Sequence, residues 1–154
     1  HNIFLGDLAE LKIEEKYDVV TMWDVLEHLS DPDKYLKSVF GILNDGGILA
    51  INTIDSGSWW AKLWGKNWHA ILPPEHLFYY SVESLKILLA DNGFTIIKGS
   101  KIGKQFTLPY IFKVLAHRYN LPFLIKLSDF FNRLGFKIGL PINLRDNIFI
   151  IAVK

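Results

Sequence analysis

The chain has 154 residues, 50% of them hydrophobic and 21% charged, with a formal net charge of +1, which fits one globular domain with a substantial core. The absence of cysteine excludes disulfides, thiolate metal sites and cysteine nucleophiles. No basic block marks a nucleic-acid partner, and no apolar run reaches the roughly 20 residues that a membrane span needs.

The first third of the chain predicts strands that alternate with a helix. The apolar residues 3–5 predict a short strand, and residues 17–23 are rich in β-branched and aromatic residues, as expected of a buried parallel strand. Asp31 and Pro32 are helix-start signals, and apolar residues recur at helical spacing after them. Residues 48–53 form another apolar run. Such a strand, helix and strand succession predicts an open parallel α/β sheet.

The sequence pattern from residue 56 onwards predicts an aromatic insertion, a helix, two strands and an apolar region between the strands. Residues 56–80 carry four of the five tryptophans, and a helix is expected from Ser81 to residues 92–93. Residues 94–102 and 147–153 are strand candidates. Between them, residues 108–134 are strongly apolar and are expected to be helical or loop-rich, with breaks at two prolines.

A series of short motifs follows the predicted elements in order. The first motifs are Gly6-Asp7-Leu8, Tyr17-Asp18-Val19-Val20, Asp24-Val25-Leu26-Glu27-His28-Leu29, Asp31-Pro32 and Leu43-Asn44-Asp45-Gly46-Gly47-Ile48-Leu49, and the downstream motifs are Pro74-Glu75-His76-Leu77, Tyr79-Tyr80-Ser81, Leu88-Leu89 and Gly93-Phe94. By their order and spacing, over about residues 3–100 and the final strand, the chain resembles the C-terminal part of a class I S-adenosylmethionine-dependent methyltransferase. The downstream motifs resemble the small-molecule branch that includes ubiquinone-biosynthesis methyltransferases.

The resemblance implies a Rossmann-like α/β fold with strand order 3-2-1-4-5-7-6, the last strand antiparallel, and S-adenosyl-L-methionine as cofactor. It aligns the first strand here with the third of the family, so the glycine-rich cofactor loop is expected to be missing. We therefore expect residues 1–154 to be one N-terminally truncated methyltransferase-like domain, inactive in isolation. Residues 105–140 are interpreted as an apolar helical lid or interaction insertion within it.

The resemblance also implies which residues contact the cofactor. Asp7 would accept a hydrogen bond from the adenine amino group, although glycine-aspartate pairs are also common turn formers. Residues 22–24 end the strongest strand, where parallel sheets present ligand contacts, while core packing is the alternative role for Trp23. The predicted cofactor residues are Asp7, Leu8, Met22, Trp23, Asp24 and His28.

A metal site is conceivable at Asp24, Glu27 and His28, because a helix would place positions i, i+3 and i+4 on one face. The triad lacks a second histidine, and carboxylates at helix starts are usually caps. We therefore predict no metal, and expect Glu27 and His28 to shape the cofactor or acceptor pocket.

The acceptor site is expected in the segment after the second apolar strand. Histidine is the natural base near neutral pH, so His76, and after it His69, are the catalytic candidates; a structural hydrogen bond is the alternative for His76. The tryptophans would cover an apolar acceptor or form a satellite cluster under a long loop. The predicted acceptor-binding residues are Glu27, Trp60, Trp64, Trp68 and Glu75.

These interpretations predict methyl transfer to a small or lipid-like acceptor, at oxygen, by a cytoplasmic protein with no nucleic-acid partner. Residues 108–134 interleave apolar and basic side chains, which suits peripheral contact with a membrane or a lipid-linked acceptor. A lid or a homodimer contact is the favoured interpretation, because apolar helices are mostly buried in protein and the basic residues are few. The alternative function is a non-catalytic module of the same fold that dimerises or contacts membrane through this region. A nicotinamide or nucleotide-sugar enzyme fits the motif order less well.

Overall fold

A computed structural model of the protein describes residues 3, 5–11, 13–135 and 139–154. The chain divides into two compact units. The first unit consists of His1–Ile102 and Arg145–Lys154, and the second of Gly103–Leu144. None of the described helices is long and apolar enough to cross a membrane.

The described residues form four strands and five α-helices that alternate along most of the chain. Two 3₁₀ turns, Leu26–His28 and Gly65–Asn67, interrupt the loops. The elements are β1 (Tyr17–Trp23), α1 (Pro32–Ile42), β2 (Leu43–Ile54), α2 (Trp59–Trp64), α3 (Val82–Asp91), β3 (Thr95–Thr107), α4 (Leu108–Tyr119), α5 (Pro122–Arg133) and β4 (Gly139–Val153).

The sheet has the strand order β1-β2-β4-β3. Strands β1 and β2 are parallel, with Met22 opposite Ile51, whereas β2 and β4 are antiparallel, with Ile51 opposite Ile150. This order corresponds to the 4-5-7-6 end of the order expected from the sequence, including its antiparallel strand. The predicted α/β fold class is therefore confirmed, with a mixed sheet.

The predicted strand at residues 3–5 is not formed. Ile3 and Leu5 lie outside any strand and are 91% and 98% exposed, and Phe4 lies outside the described residues. An apolar run becomes a strand only when a neighbouring strand pairs with its backbone. None of the described strands pairs with this segment. Strands β3 and β4 both extend further than the residues predicted for them.

Local capping explains where the helices of the first unit begin. At the start of α1, Asp31 accepts a hydrogen bond from the Lys34 amide at 3.0 Å, and Pro32 occupies the first turn, where its missing amide hydrogen costs nothing. At the start of α3, Ser81 and Ser84 form a reciprocal capping box. Both starts agree with the sequence prediction because capping depends on neighbouring residues alone.

The core of the first unit forms around β2. Residues 49–54 of this strand and residue 55, which follows it, are all buried. They are buried because β2 lies between β1 and β4 and helices cover the sheet. The fully buried apolar side chains here include Leu36 and Val39 of α1, Leu49 and Ile51 of β2, Leu85 and Leu89 of α3, and Ile148 and Ile150 of β4.

Gly93, which follows α3, has no room for a side chain. Its φ of +86° is left-handed, and an added Cβ would lie 2.8 Å from Cε2 of Phe40. We expect Gly93→Ala to lower the free energy of unfolding by about 2–3 kcal/mol, from backbone strain and the ring contact together. Urea denaturation followed by circular dichroism measures this change in the free energy of unfolding.

Gly41 provides the matched control for Gly93→Ala. It lies inside α1, and an added Cβ would meet nothing within 4 Å. Gly41→Ala should therefore raise the stability by up to about 1 kcal/mol through helix propensity. Equal effects of the two substitutions would contradict the close approach of Phe40 to Gly93.

The second unit contains α4 and α5, which pack as a helical pair. Asn120 adopts a left-handed conformation at φ 53° at the end of α4. The buried Ser128 hydroxyl donates to the Pro109 carbonyl at 2.8 Å, and the rings of Phe112 and Phe131 lie 5.7 Å apart. The predicted helical character of residues 108–134 is confirmed, while their role as a lid or insertion stays a prediction.

Candidate functional site

The carboxyl ends of β1 and β2 are held together by polar contacts. The Asp24 amide donates to the Asn52 carbonyl at 2.9 Å, and the Asn52 side-chain amide donates to Asp24 Oδ1 at 3.0 Å. Asp24 has a φ of 50°, a conformation that aspartate adopts more readily than most residues. The buried Oδ1 of Asn52 has no hydrogen-bond partner among the described residues. This end of the sheet therefore presents polar acceptors where parallel sheets bind ligands.

Next to this edge, three ionisable side chains form the Glu27–His28–His76 cluster. One ligand atom from each of the three lies within 4.8 Å of the others, and the two imidazole rings are 4.7 Å apart. The amides of Leu77 and Phe78 both donate to the Glu27 carbonyl, at 2.8 and 3.2 Å. These two backbone bonds attach the segment that carries His76 to the 3₁₀ turn that carries Glu27 and His28.

Both histidines of the cluster have their Nδ1 atoms engaged by backbone carbonyls. His28 Nδ1 lies 2.7 Å from the Glu75 carbonyl oxygen, and His76 Nδ1 lies 2.7 Å from that of Ala70. Because a carbonyl oxygen only accepts, Nδ1 must carry the hydrogen in both rings. Each neutral ring then has its lone pair at Nε2. The backbone therefore prepares both rings to accept a proton or to bind a cation.

Glu27 is almost completely buried, with 1% of its surface exposed, and its Oε2 accepts a hydrogen bond from the Thr53 hydroxyl at 2.7 Å. Tyr80 is also buried, and its hydroxyl has no hydrogen-bond partner within the described ranges. Burial, together with the charges of Glu27 and Asp33, raises the pKa of Tyr80 well above its usual value, so the phenol keeps its proton. The Glu27 carboxylate is thus shielded from solvent and held by the Thr53 hydroxyl.

The cluster differs from the triad considered from sequence. His76 takes the place of Asp24, so a cation at this position would meet two imidazoles and one carboxylate, a donor set that divalent transition metals accept. His76 was proposed as a base and not as a ligand. The prediction that the protein binds no metal stays a prediction.

A second polar group joins the aromatic segment to the last strand. Trp68 Nε1 donates to Asp146 Oδ2 at 3.0 Å, and His69 Nε2 lies 3.5 Å from the same oxygen. Trp68 is 2% exposed and Asp146 is 3% exposed. Trp68, predicted to cover the acceptor, therefore lies in a satellite core with Ala61 and Ala70.

The three other tryptophans of this segment form a cluster on α2. The rings of Trp59 and Trp60 lie 5.3 Å apart, and those of Trp60 and Trp64 lie 5.4 Å apart. Trp59 and Trp64 are exposed, whereas Trp60 packs partly against the satellite core. Trp59 and Trp64 thus expose aromatic surface, whereas Trp60 does so only in part; the acceptor-binding roles of Trp60 and Trp64 stay predictions. Glu75 is exposed and contributes its backbone carbonyl to the orientation of His28.

Alternation along β1 separates the predicted cofactor residues of that strand. Met22 is 5% exposed and belongs to the core, whereas Trp23 is 54% exposed and stacks on Phe149 at 5.6 Å. Successive side chains of a strand point to opposite faces. A ligand at this edge would therefore meet the Trp23 ring and the backbone of Met22 instead of both side chains.

Asp7, the predicted adenine contact, lies in an exposed turn. Its Oδ1 accepts a hydrogen bond from the Ala9 amide at 2.8 Å. A hydrogen bond from the Tyr35 hydroxyl, together with the Ala9 amide, lowers the pKa of the Asp7 carboxyl below its usual value. Leu8, the other predicted adenine contact, packs partly against the core. The adenine-binding roles of both residues stay predictions.

The hydrogen bond between Tyr35 and Asp7 can be tested by titration. Its removal in Tyr35→Phe should raise the pKa of the Asp7 carboxyl toward the unperturbed value, because the phenol stabilises the charged form. Folding stability from this bond is present above the unfolded pKa and is lost as pH falls through the lowered folded value. Carbon NMR of the Asp7 side chain measures its pKa in the wild type and in Tyr35→Phe. An unchanged Asp7 pKa would exclude the bond.

The mixed α/β sheet, with polar residues gathered where its parallel strands end, places the chain in the Rossmann-like class. Residues 6–98 match the model of the Methyltransferase domain family. The chain therefore belongs to that family. The narrower resemblance to the ubiquinone-biosynthesis branch stays a prediction. A comparison with curated protein sequences finds no match.

Solved structures share the fold. A SAM-dependent methyltransferase from Archaeoglobus fulgidus is 17% identical with a TM-score of 0.59, over 99% of this chain and 67% of its own length. A SAM-dependent methyltransferase from Thermotoga maritima, described as a possible histamine N-methyltransferase, is 19% identical with a TM-score of 0.58, over 97% and 61%. The [4+2]-cyclase SpnF is 16% identical with a TM-score of 0.53, over 97% and 54%. The chain thus spans roughly half to two thirds of these proteins.

Proposed function

We propose that this domain takes part in methyl transfer from S-adenosylmethionine to a small or lipid-like acceptor, at an oxygen atom. Family membership supports the reaction class, and the Glu27–His28–His76 cluster is the observation that carries the proposal. Two Nε2 lone pairs and a buried carboxylate beside the carboxyl ends of parallel strands suit the removal of a proton from an acceptor.

The residues at this edge fit the cofactor chemically. S-adenosylmethionine supplies a methyl group on positively charged sulfur, and its methionine part carries a cationic amino group. The Asp24 carboxylate and the unpartnered Oδ1 of Asn52 are acceptors that suit such a cation. We propose that Asp7 and Leu8 contact the adenine, and that Met22, Trp23, Asp24 and His28 contact the remainder of the cofactor.

The chain's own residues would align the acceptor and remove its proton. His76 Nε2 would accept the hydroxyl proton of the acceptor, and bound S-adenosylmethionine would supply the methyl group to the acceptor oxygen. The nearby Glu27 carboxylate stabilises the imidazolium that results. Alignment and exclusion of water contribute the remainder of the rate. His69, held near Asp146, is the second candidate base.

Acceptor binding is assigned to the segment between β2 and α3. Trp60 and Trp64 offer an aromatic surface, which suits an apolar ring or chain. Glu27 would accept a hydrogen bond from a hydroxylated acceptor, and Glu75 acts through the His28 ring that its carbonyl orients. Trp68 contributes by fixing this segment against Asp146.

The test uses the complete natural reading frame that encodes residues 1–154, beside the 154-residue chain itself. We expect calorimetry to show S-adenosylmethionine binding by the complete protein, and labelled methyl transfer to some member of a panel of hydroxylated acceptors. We propose that the isolated chain is inactive, and micromolar binding by it would overturn that part. Absence of S-adenosylmethionine binding by the complete protein would overturn the proposed function.

A second candidate function is a non-catalytic module of the same fold that acts as a homodimer. The observation that favours it is the exposure of large apolar side chains on α4 and α5, among them Tyr119 and Phe123 at 55% and 60%. Light scattering across a concentration series distinguishes the two candidates in combination with the binding experiment. A stable dimer without affinity for S-adenosylmethionine would favour the module.

A further inference from the structure

One face of α5 presents an uncovered line of large apolar side chains. Phe123, Phe130 and Leu134 are 60%, 54% and 59% exposed. Their spacing of seven and then four residues places them on the same side of the helix. The Leu134 amide donates to the Phe130 carbonyl at 3.1 Å, so the helical turn continues to the end of this line. We call these three residues the α5 apolar stripe.

The opposite side of α5 is already used by the helical pair. Ser128 is completely buried, and its hydroxyl donates to the Pro109 carbonyl of α4. The Phe131 ring lies against Phe112 of α4. Packing within the second unit therefore accounts for one face of α5 and leaves the stripe on another. Exposed apolar patches of this kind mark a surface that another molecule covers.

Positive charge borders the stripe. Lys126 and Arg133 are exposed on α5, and helical geometry places both beside Phe130 on the same flank of the stripe. Of the five formally charged side chains between residues 108 and 135, four are basic. Asp129 is the exception. The surface therefore combines bulky apolar groups with a basic border, which suits an apolar partner with negative charge at its boundary.

We propose that the α5 apolar stripe docks on the surface of an anionic phospholipid bilayer, with Phe123, Phe130 and Leu134 at the acyl boundary and Lys126 and Arg133 among the headgroups. An anionic surface suits the basic border better than a second copy packed antiparallel, because an antiparallel two-fold contact through the stripe would bring the two basic borders together. The contact does not depend on methyl transfer, so its test is independent of the test of the proposed function.

The first test is vesicle co-sedimentation of the 154-residue chain. Binding is expected to vesicles that contain phosphatidylglycerol, and to be much weaker with phosphatidylcholine alone. Phe123→Ala with Phe130→Ala should lower the partition coefficient by tenfold or more, on the order of the transfer free energy of two phenyl rings. Lys126→Gln with Arg133→Gln should lower it by roughly fivefold per charge. Added salt should weaken the wild type.

Matched controls distinguish vesicle binding through the stripe from nonspecific vesicle binding. Ile87 of α3 is 63% exposed in the first unit, so Ile87→Ala should leave vesicle binding unchanged. Lys86→Gln with Lys98→Gln removes two charges from the first unit and should have less effect than the α5 pair. Equal loss from both sets, or binding that does not distinguish the two lipids, would overturn the proposal.

A second measurement reports the orientation of α5 without disturbing the two phenyl rings. Because the chain has no cysteine, a single cysteine at Leu134 or at Asn132 can carry an environment-sensitive dye. Dye emission should rise on anionic vesicles for Leu134→Cys and stay unchanged for Asn132→Cys, which lies on another side of the helix. Equal responses would overturn the proposal, as would a dimer in light scattering that Phe123→Ala with Phe130→Ala dissociates.

Discussion

Replacement of His76 by asparagine is expected to lower the rate of methyl transfer by the complete protein by roughly 10²- to 10⁴-fold, the range for loss of a general base. Asparagine retains a donor near the position of Nδ1, which bonds the Ala70 carbonyl, but it cannot accept a proton. The contacts of the backbone segment are thereby kept while the proposed chemistry is removed. Initial rates at saturating S-adenosylmethionine measure the effect.

One control substitution makes the His76 experiment specific. His117→Asn, on the exposed surface of α4, should leave the rate unchanged. A His76→Asn protein with the full rate would assign His76 a structural role and make His69 the next candidate base.

Sequence patterns predicted the elements whose signals are local. Strand β1, helix α1 and helix α3 lie close to their expected positions, because β-branched runs, capping residues and helical periodicity act between neighbours in the chain. The same signals failed at residues 3–5. A short apolar run contains no information about whether another strand lies beside it, and pairing decides whether a strand forms.

The candidate site was only partly predictable because its contacts join distant parts of the chain. His28 and the Glu75 carbonyl are 47 residues apart, and Trp68 and Asp146 are 78 residues apart. Glu27, His28 and His76 were each identified as functional candidates, but their convergence depends on backbone bonds from Leu77 and Phe78 to the Glu27 carbonyl. No periodicity in the sequence indicates such bonds.

Asn52 and Thr53 show a signal that sequence reasoning could have used. They are polar residues at the end of an otherwise apolar run, and both are buried in the structure, at 4% and 0% exposure. A buried polar group requires a partner: Thr53 binds Glu27 and Asn52 binds Asp24. Polar residues where a buried parallel strand ends therefore indicate the ligand edge of the sheet. Asp146 lies just before a similar apolar run and went unrecognised.

The apolar part of the same strand should carry much of the stability of the first unit. Ile51 is fully buried, opposite Met22 on one side and Ile150 on the other. Ile51→Ala removes three buried carbon atoms from a position that strands on both sides hold fixed, so the cavity cannot close by collapse. We expect the free energy of unfolding to fall by about 2–5 kcal/mol, measured by urea denaturation.

Val19→Ala is the matched control for Ile51→Ala. It lies on the neighbouring strand β1 but is 53% exposed, so Val19→Ala should cost less than about 1 kcal/mol, mainly through strand propensity. Similar losses at both positions would show that β2 is not enclosed on both faces. Its polar end would then lack the rigid support that holds Glu27 and Asp24, because both bond to side chains of β2. Stability at Ile51 and geometry at the candidate site therefore depend on the same strand.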